Sequence, residues 1–248
     1  MLLRVLTYNI HRAIGVDRRF RPERIVDILK HHDADLVLLQ EVDDGAPRSR
    51  ELDLAREVAG SAGYPHLAAG YNVSLRKGRY GNALLSRWPL TVHRNIDLTV
   101  GDRKRRGCLH ARVRIEKGHL GVRELDVFNL HLGLSARERT RQVGILTRSP
   151  EFSAVEDGAP CLVAGDFNDW LAQLHPIFLE IFAFKSATRH RFGYQAAIRT
   201  YPSFSPTGAL DKIYYRGPMR LLGARSCRLR LSRVASDHLP IVAEFELS

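Results

Sequence analysis

The chain has 248 residues, 44% of them hydrophobic, and a formal net charge of +11. This composition suits a globular protein with a substantial core and excludes an intrinsically disordered chain. No apolar run approaches the roughly 18 residues that a membrane-spanning helix needs. Cys108, Cys161 and Cys227 are widely spaced and form neither a disulfide framework nor a CxxC pair, which points to a reducing, cytoplasmic setting.

Leu2–Asn9 reads as a strand, so Met1 to Leu6 is not expected to be a signal peptide. Arg21-Pro22-Glu23 opens a helix with Ile25, Ile28 and Leu29 on one face, since proline and an acidic residue both suit a first turn. Asp35–Gln40 is a buried strand, and Leu52, Leu54, Ala55 and Val58 mark a second helix. Strands follow over Asn82–Ser86, Thr91–Leu98, Leu109–Ile115 and Leu125–His131. Ser135 and Glu138 have capping-box spacing ahead of a helix that includes Val143, Ile145 and Leu146. Cys161–Ala164 is a short strand, Ile177–Phe182 is helical, and Leu210–Tyr215, Leu221–Leu231 and Ile241–Phe245 close the fold. Alternation without a linker or repeat predicts one domain over 1–248, with two packed sheets and helices on their outer faces.

Four places on this scaffold carry chemistry at strand ends. They are Thr7-Tyr8-Asn9-Ile10-His11, Leu39-Gln40-Glu41-Val42, Gly165-Asp166-Phe167-Asn168-Asp169 and Ser236-Asp237-His238-Leu239-Pro240. Carboxylate and amide oxygens suit Mg²⁺, and a His–Asp pair manages charge and protons. Taken singly, each motif is an ordinary turn; together they point to metal-dependent phosphoester hydrolysis. Asp166 is placed to orient and deprotonate a water, and Asn168 to fix that water or a phosphoryl oxygen. Asp169 reads as a helix N-cap. The remaining histidines show no zinc-ligand spacing, and there is neither a nucleotide-binding Gly-rich loop nor a Gly-x-Ser-x-Gly elbow.

In their order and spacing, these four motifs resemble the endonuclease/exonuclease/phosphatase superfamily, across nearly the whole chain. Arg79-Tyr80-Gly81-Asn82-Ala83-Leu84-Leu85-Ser86 and Leu210-Asp211-Lys212-Ile213-Tyr214 are similar to a bacterial branch often found with phospholipid-metabolism genes. The resemblance implies an α+β fold, a four-layer α/β/β/α sandwich of DNase I-like type with two mixed sheets flanked by helices. It implies Mg²⁺, or Mn²⁺, with Glu41 as primary ligand and Asn9 and Asp237 assisting. It pairs His238 with Asp211 for charge stabilisation. His131 falls where nuclease-like members place a histidine, for leaving-group protonation or phosphate binding, and Asn82 orients the phosphate or His131. Some relatives carry an Asp where this chain has His11, so a second carboxylate on that loop is missing.

For substrate, the basic and aromatic segments Tyr71–Tyr80, Asp102–Arg106 and Arg189–Phe204, the last with Tyr194, Tyr201 and Phe204, suit a phosphate backbone with stacked bases, or an anionic phospholipid headgroup. Arg105 or Arg106, with Arg106 preferred, and Arg12 are the expected phosphate contacts. The leading reading is a monomeric phosphodiesterase acting on nucleic acid. The alternatives are a sphingomyelinase-like phospholipid phosphodiesterase, a phosphomonoesterase, and a basic nucleic-acid-binding protein without turnover.

Overall fold

A computed structural model describes residues 1–116, 122–188 and 197–247. Residues 189–196, which include Tyr194 of the third predicted selection segment, lie outside the described residues.

The strands form two six-stranded sheets. The first comprises β1 (Leu2–Asn9), β2 (Leu36–Asp44), β3 (His66–Ser74), β4 (Arg79–Ser86), β11 (Met219–Ser226) and β12 (Ile241–Leu247), ordered β11-β12-β1-β2-β4-β3. The second comprises β5 (Leu90–Asp97), β6 (Gly107–Glu116), β7 (Val122–His131), β8 (Cys161–Asp166), β9 (Lys185–Ser186) and β10 (Asp211–Arg216), ordered β5-β6-β7-β8-β10-β9. Each sheet has one parallel pair at its centre, β1 with β2 and β7 with β8, and is otherwise antiparallel. Leu3, Val5, Leu38, Leu84, Leu109, Val127, Leu162 and Ile213 from both sheets share one apolar layer. This is the predicted α/β/β/α sandwich.

The outer faces are covered as the apolar stripes require. Helix α1 (Pro22–His32) buries Ile25, Ile28 and Leu29, and α2 (Leu54–Ala62) buries Leu54, Ala55 and Val58, against Val37, Leu39 and Leu85. The Asp53 side chain caps α2 by accepting from the Arg56 amide at 3.1 Å. On the other face, Val143 and Leu146 of α3 (Ala136–Thr147) and Phe152 of α4 (Pro150–Ser153) pack on Phe128, Val163 and Tyr214. Ser135 caps α3 through the Glu138 amide at 3.2 Å, as the capping-box spacing predicts.

Three predicted elements differ from the structure. The strand predicted to stop at Gln40 runs on to Asp44 through a bulge: the β2–β4 register shifts between Leu39 and Val42, and Glu41 adopts a left-handed backbone with φ 55°. Glu41 is therefore turned out of a strand rather than following its end. The strand predicted over Leu221–Leu231 ends at Ser226 and gives way to the short helix α5 (Ser232–Ala235), because Leu229 and Leu231 pack on the apolar layer beneath α1. The helix predicted over Ile177–Phe182 is a single wide turn at Ile177–Ile181.

The bulge also explains a polar seam between the sheets. Fully buried Asn129 on β7 donates its amide to the Leu39 and Ala83 carbonyls across the sandwich, both at 2.9 Å, where the bulge interrupts the β2–β4 ladder. Its own oxygen accepts from Gln40 at 2.7 Å. Replacing Asn129 with Leu removes the donor to two carbonyls in a dry interior, while the Gln40 amide keeps Thr7 and the Leu38 carbonyl as acceptors, so a loss of roughly 2–4 kcal/mol of stability is expected in denaturant unfolding.

A second expectation concerns acid. His32, buried in the last turn of α1, has its pKa lowered to about 4, first by burial and then by the neighbouring His31, Arg225 and Arg4. The folded state stays neutral between about 6.5 and about 4 while the unfolded chain takes a proton, so stability falls as pH falls through that window. Allowing for partial solvent screening, the effect is on the order of 1–2 kcal/mol. Urea midpoints at pH 7 and pH 5 are expected to differ less for His32→Gln than for the wild type.

Candidate active site

Both parallel pairs send their carboxyl ends to the same edge of the sandwich. β1 delivers Asn9, β7 delivers His131 and β8 delivers Asp166, while β10 begins with Asp211 directly opposite Asp166. His131 is likewise in register with Asp166 on the parallel neighbour. His238 arrives from the turn before β12, whose first residue Ile241 pairs with Thr7 of β1. Gly165 makes the approach feasible. Its φ is 137°, and a Cβ there would lie 2.0 Å from the Leu130 carbonyl oxygen.

Asp166 is the hub. Its Oδ2 accepts from Asn9 Nδ2 at 3.1 Å and lies 3.5 Å from His131 Nε2 and 3.7 Å from His238 Nε2. Its Oδ1 accepts from the Asn168 amide at 2.9 Å, and the Asn168 side chain is tied to the Leu132 carbonyl at 3.0 Å. Burial raises the Asp166 pKa to about 6 against the pull of His238.

His238 Nδ1 meets Asp211 Oδ2 at 2.8 Å, and the same oxygen accepts from the Thr200 hydroxyl at 2.5 Å. Burial alone would depress the imidazole pKa, but Asp211 and then Asp166 carry it up to about 10. His238 is thus an imidazolium held between two carboxylates, with the Tyr201 ring 5.0 Å from its own. His131 behaves oppositely: burial, then Arg106 and His238, lowers its pKa well below the usual histidine range, leaving a neutral imidazole.

The other predicted residues divide into two groups. Arg106, 6% exposed, lines a narrow cleft with Arg105, Asn82, Tyr80 and His131, and its Nε has no hydrogen-bond acceptor among the described residues. Asn82 donates to the Gly107 and Asn129 carbonyls at 3.1 and 3.2 Å. Both its amide hydrogens are committed, so it shapes the cleft instead of donating to a ligand. Glu41 faces Arg12 at 3.6 Å, where the consecutive left-handed residues His11, Arg12 and Ala13 swing the loop after β1 across the bulge. Asp169, predicted as a helix N-cap, accepts from the Gln173 and Leu174 amides at 3.0 and 2.9 Å, but the segment it caps is a turn and not a helix.

Asp166, Asp211 and His238 bring ligand-type atoms within 4.8 Å of one another, a spacing that would also suit a cation. Neither Glu41 nor Asp237 belongs to that group among the described residues. His238, bonded to Asp211 and facing Asp166, also makes the group a proton-handling triad. The surrounding donors are carboxylate and amide oxygens, including a buried Asp211 Oδ1 without a hydrogen-bond partner among the described residues; such a set fits a hard cation such as Mg²⁺ better than zinc.

Residues 6–238 match the model of the Endonuclease/Exonuclease/phosphatase family. The chain belongs to that family. Membership makes it a phosphoester hydrolase by class. "Uncharacterized protein YbhP" from Escherichia coli strain K12 is 32% identical over 253 aligned positions, covering 98% of this chain and 96% of that protein. An endonuclease/exonuclease/phosphatase structure from Beutenbergia cavernae superposes with TM-score 0.78 at 22% identity, over 100% of this chain and 72% of that one. The Bacteroides thetaiotaomicron mannosyl-6-phosphatase Bt3783 superposes with TM-score 0.76 at 19% identity, over 99% and 100%. These likenesses place the fold within a family that spans nucleases and phosphatases.

Several participants in this family site are invisible in the sequence. Thr200 carries no motif, yet its hydroxyl fixes Asp211. Lys212 is 5% exposed and donates to the Ala209 carbonyl at 3.0 Å behind the triad. Buried Arg139 lies 3.5 Å from Asp169. Lys212 alone had a local signal, its place beside Asp211. Among the described residues, no helix is long and apolar enough to cross a membrane.

Proposed function

We propose that the protein is a Mg²⁺-dependent phosphodiesterase acting on nucleic acid. The observation that carries this reading is the convergence of Asn9, His131 and His238 on the single buried carboxylate of Asp166. Asp166, with its raised pKa, takes the proton of a water aligned by Asn168. The His238 imidazolium, fixed by Asp211, stabilises negative charge as it develops on the phosphoryl oxygens. Neutral His131 contacts the phosphate, or relays to the leaving group the proton that Asp166, 3.5 Å away, takes from the water, and Arg106 supplies a further cation along the cleft. Arg12 lies on the Glu41 side for the same purpose. Glu41, Asn9 and Asp237 are the residues that would hold the metal, which when bound neutralises phosphoryl charge.

The net charge of +11 favours a polyanion over a small neutral metabolite. Tyr80 supports the nucleic-acid reading: Arg48 and Lys104 lie over its ring at 5.1 and 5.4 Å, a basic-aromatic pairing at the cleft. Chelation with EDTA is expected to abolish hydrolysis of a chromogenic phosphodiester, with activity restored by Mg²⁺. Glu41→Gln is expected to raise the half-saturating Mg²⁺ concentration on the order of tenfold or more, measured as initial rate against free Mg²⁺.

A further inference from the structure

Beside the site runs a second surface that the hydrolytic chemistry does not use. The segment at Thr99, Val100 and Gly101 and the outer face of α3 enclose an open groove, with Thr140, Arg141 and Arg148 on the helix side. Arg141 and Arg148 are exposed, as is Arg137 one turn before Arg141. Just beyond Gly101 on the facing segment, Arg103, Lys104 and Arg105 are exposed, and Arg105 lines the cleft that holds Arg106 and His131. Thr99 of the groove accepts from the Arg106 amide at 3.3 Å, so the groove adjoins the segment that lines the cleft.

The charges here are not balanced by the fold. Glu138, the acidic residue of this part of α3, is buried and paired with Arg103 at 3.5 Å. The exposed acids of the facing segment are Asp97, which accepts from the Thr99 amide at 2.9 Å, and Asp102, against the exposed cations Arg103, Lys104 and Arg105. Arg137 and Arg141, four residues apart, repel along the helix surface, a cost of a few tenths of a kcal/mol without an internal gain. Arg141 and Arg148 stand on the order of 10 Å apart along the axis, far enough to meet different phosphates of one chain. A linear polyanion fits a groove of this kind, whereas a bilayer is met by a protruding surface.

We propose that this groove is a backbone track for the nucleic-acid strand that flanks the cleaved bond, with Arg141 and Arg148 each binding one phosphodiester. The proposal rests on the nucleic-acid reading of the site. It predicts that long substrates depend on the groove and short ones do not.

The test compares wild type with R141E/R148E, and with R141Q/R148Q as a milder pair, on a labelled 20-nucleotide DNA, the matching RNA, a dinucleotide and bis(p-nitrophenyl) phosphate, all with Mg²⁺. The expected result is a rise in KM for the 20-mers of on the order of tenfold or more, with the small diesters unchanged. The slope of log KM against log salt should fall by about 1.4 for two lost phosphate contacts to a single strand. Whether DNA or RNA shows the effect identifies the polymer. If wild type cleaves a 20-mer and the variants do so with unchanged KM and salt slope, the track is wrong while the nucleic-acid reading stands. If wild type cleaves small diesters but neither polymer, the nucleic-acid reading itself fails and takes the track with it. Equal losses on long and short substrates would also overturn the track, as would loss of binding to phosphatidylglycerol vesicles with polymer KM unchanged.

Discussion

Asp166→Asn is expected to lower kcat on a phosphodiester by on the order of 10³–10⁴, the upper range for removal of a positioned general base, with KM changed much less. Asn is nearly isosteric, so the sandwich persists. It lacks the carboxylate that accepts simultaneously from Asn9 and from the Asn168 amide while facing two imidazoles. Burial is the largest influence on Asp166 and raises its pKa to about 6, so removing this charge relieves a desolvation penalty. Thermal unfolding is therefore expected to move little, or upward, while activity disappears. A variant that lost activity and stability together would place Asp166 in the scaffold and not in the chemistry.

The second large effect concerns the His238–Asp211 pair. His238→Ala is expected to cost on the order of 10³ in kcat, and the His238→Ala/Asp211→Asn double variant little more, because residues acting as one unit are not additive. Stability should separate the variants. His238→Ala strands the Asp211 carboxylate, 1% exposed, beside the Asp166 carboxylate, and breaking a buried pair in this way costs roughly 3–5 kcal/mol. Adding Asp211→Asn removes one of the stranded charges and is expected to recover part of that loss. Kinetics and denaturant midpoints on the four proteins of this cycle check both statements.

The sequence made the framework legible where one physical signal dominated. The strand Leu2–Asn9, the proline-led start of α1 and the Ser135 cap before α3 each appear as predicted, whereas Gly165-Asp166, expected as a turn after Ala164, continues strand β8. Local signals failed where distant packing decided the outcome. β3 has a mixed, half-buried pattern on a sheet edge, and two-residue β9 is too short to carry a period. The continuation of β2 was hidden because Glu41, Asp43 and Asp44 look like a strand terminus, yet Arg48 and Arg79 neutralise Asp43 and Asp44 at 2.8 Å each.

The site shows the same division. The pairing of Asp211 with His238 spans 27 residues and was implied by family resemblance, and the structure brings the two together. The bulge that turns Glu41 toward Arg12, the seam through Asn129 and Gln40, and the Thr200 hydroxyl on Asp211 depend on contacts between strands far apart in sequence. No local pattern encodes them. The resemblance implies that Asn82 orients the phosphate or His131; that its amide donates to the carbonyls of Gly107 and Asn129 depends on strands distant in sequence.

The measurement that tests the central claim most directly is initial-rate hydrolysis of bis(p-nitrophenyl) phosphate and of a labelled oligonucleotide by wild type and Asp166→Asn, each with EDTA and with Mg²⁺. The account predicts turnover of both substrates by wild type with Mg²⁺ only, and none above background by Asp166→Asn under either condition. Undiminished hydrolysis by a folded Asp166→Asn protein, or turnover by wild type that is indifferent to chelation, would contradict it.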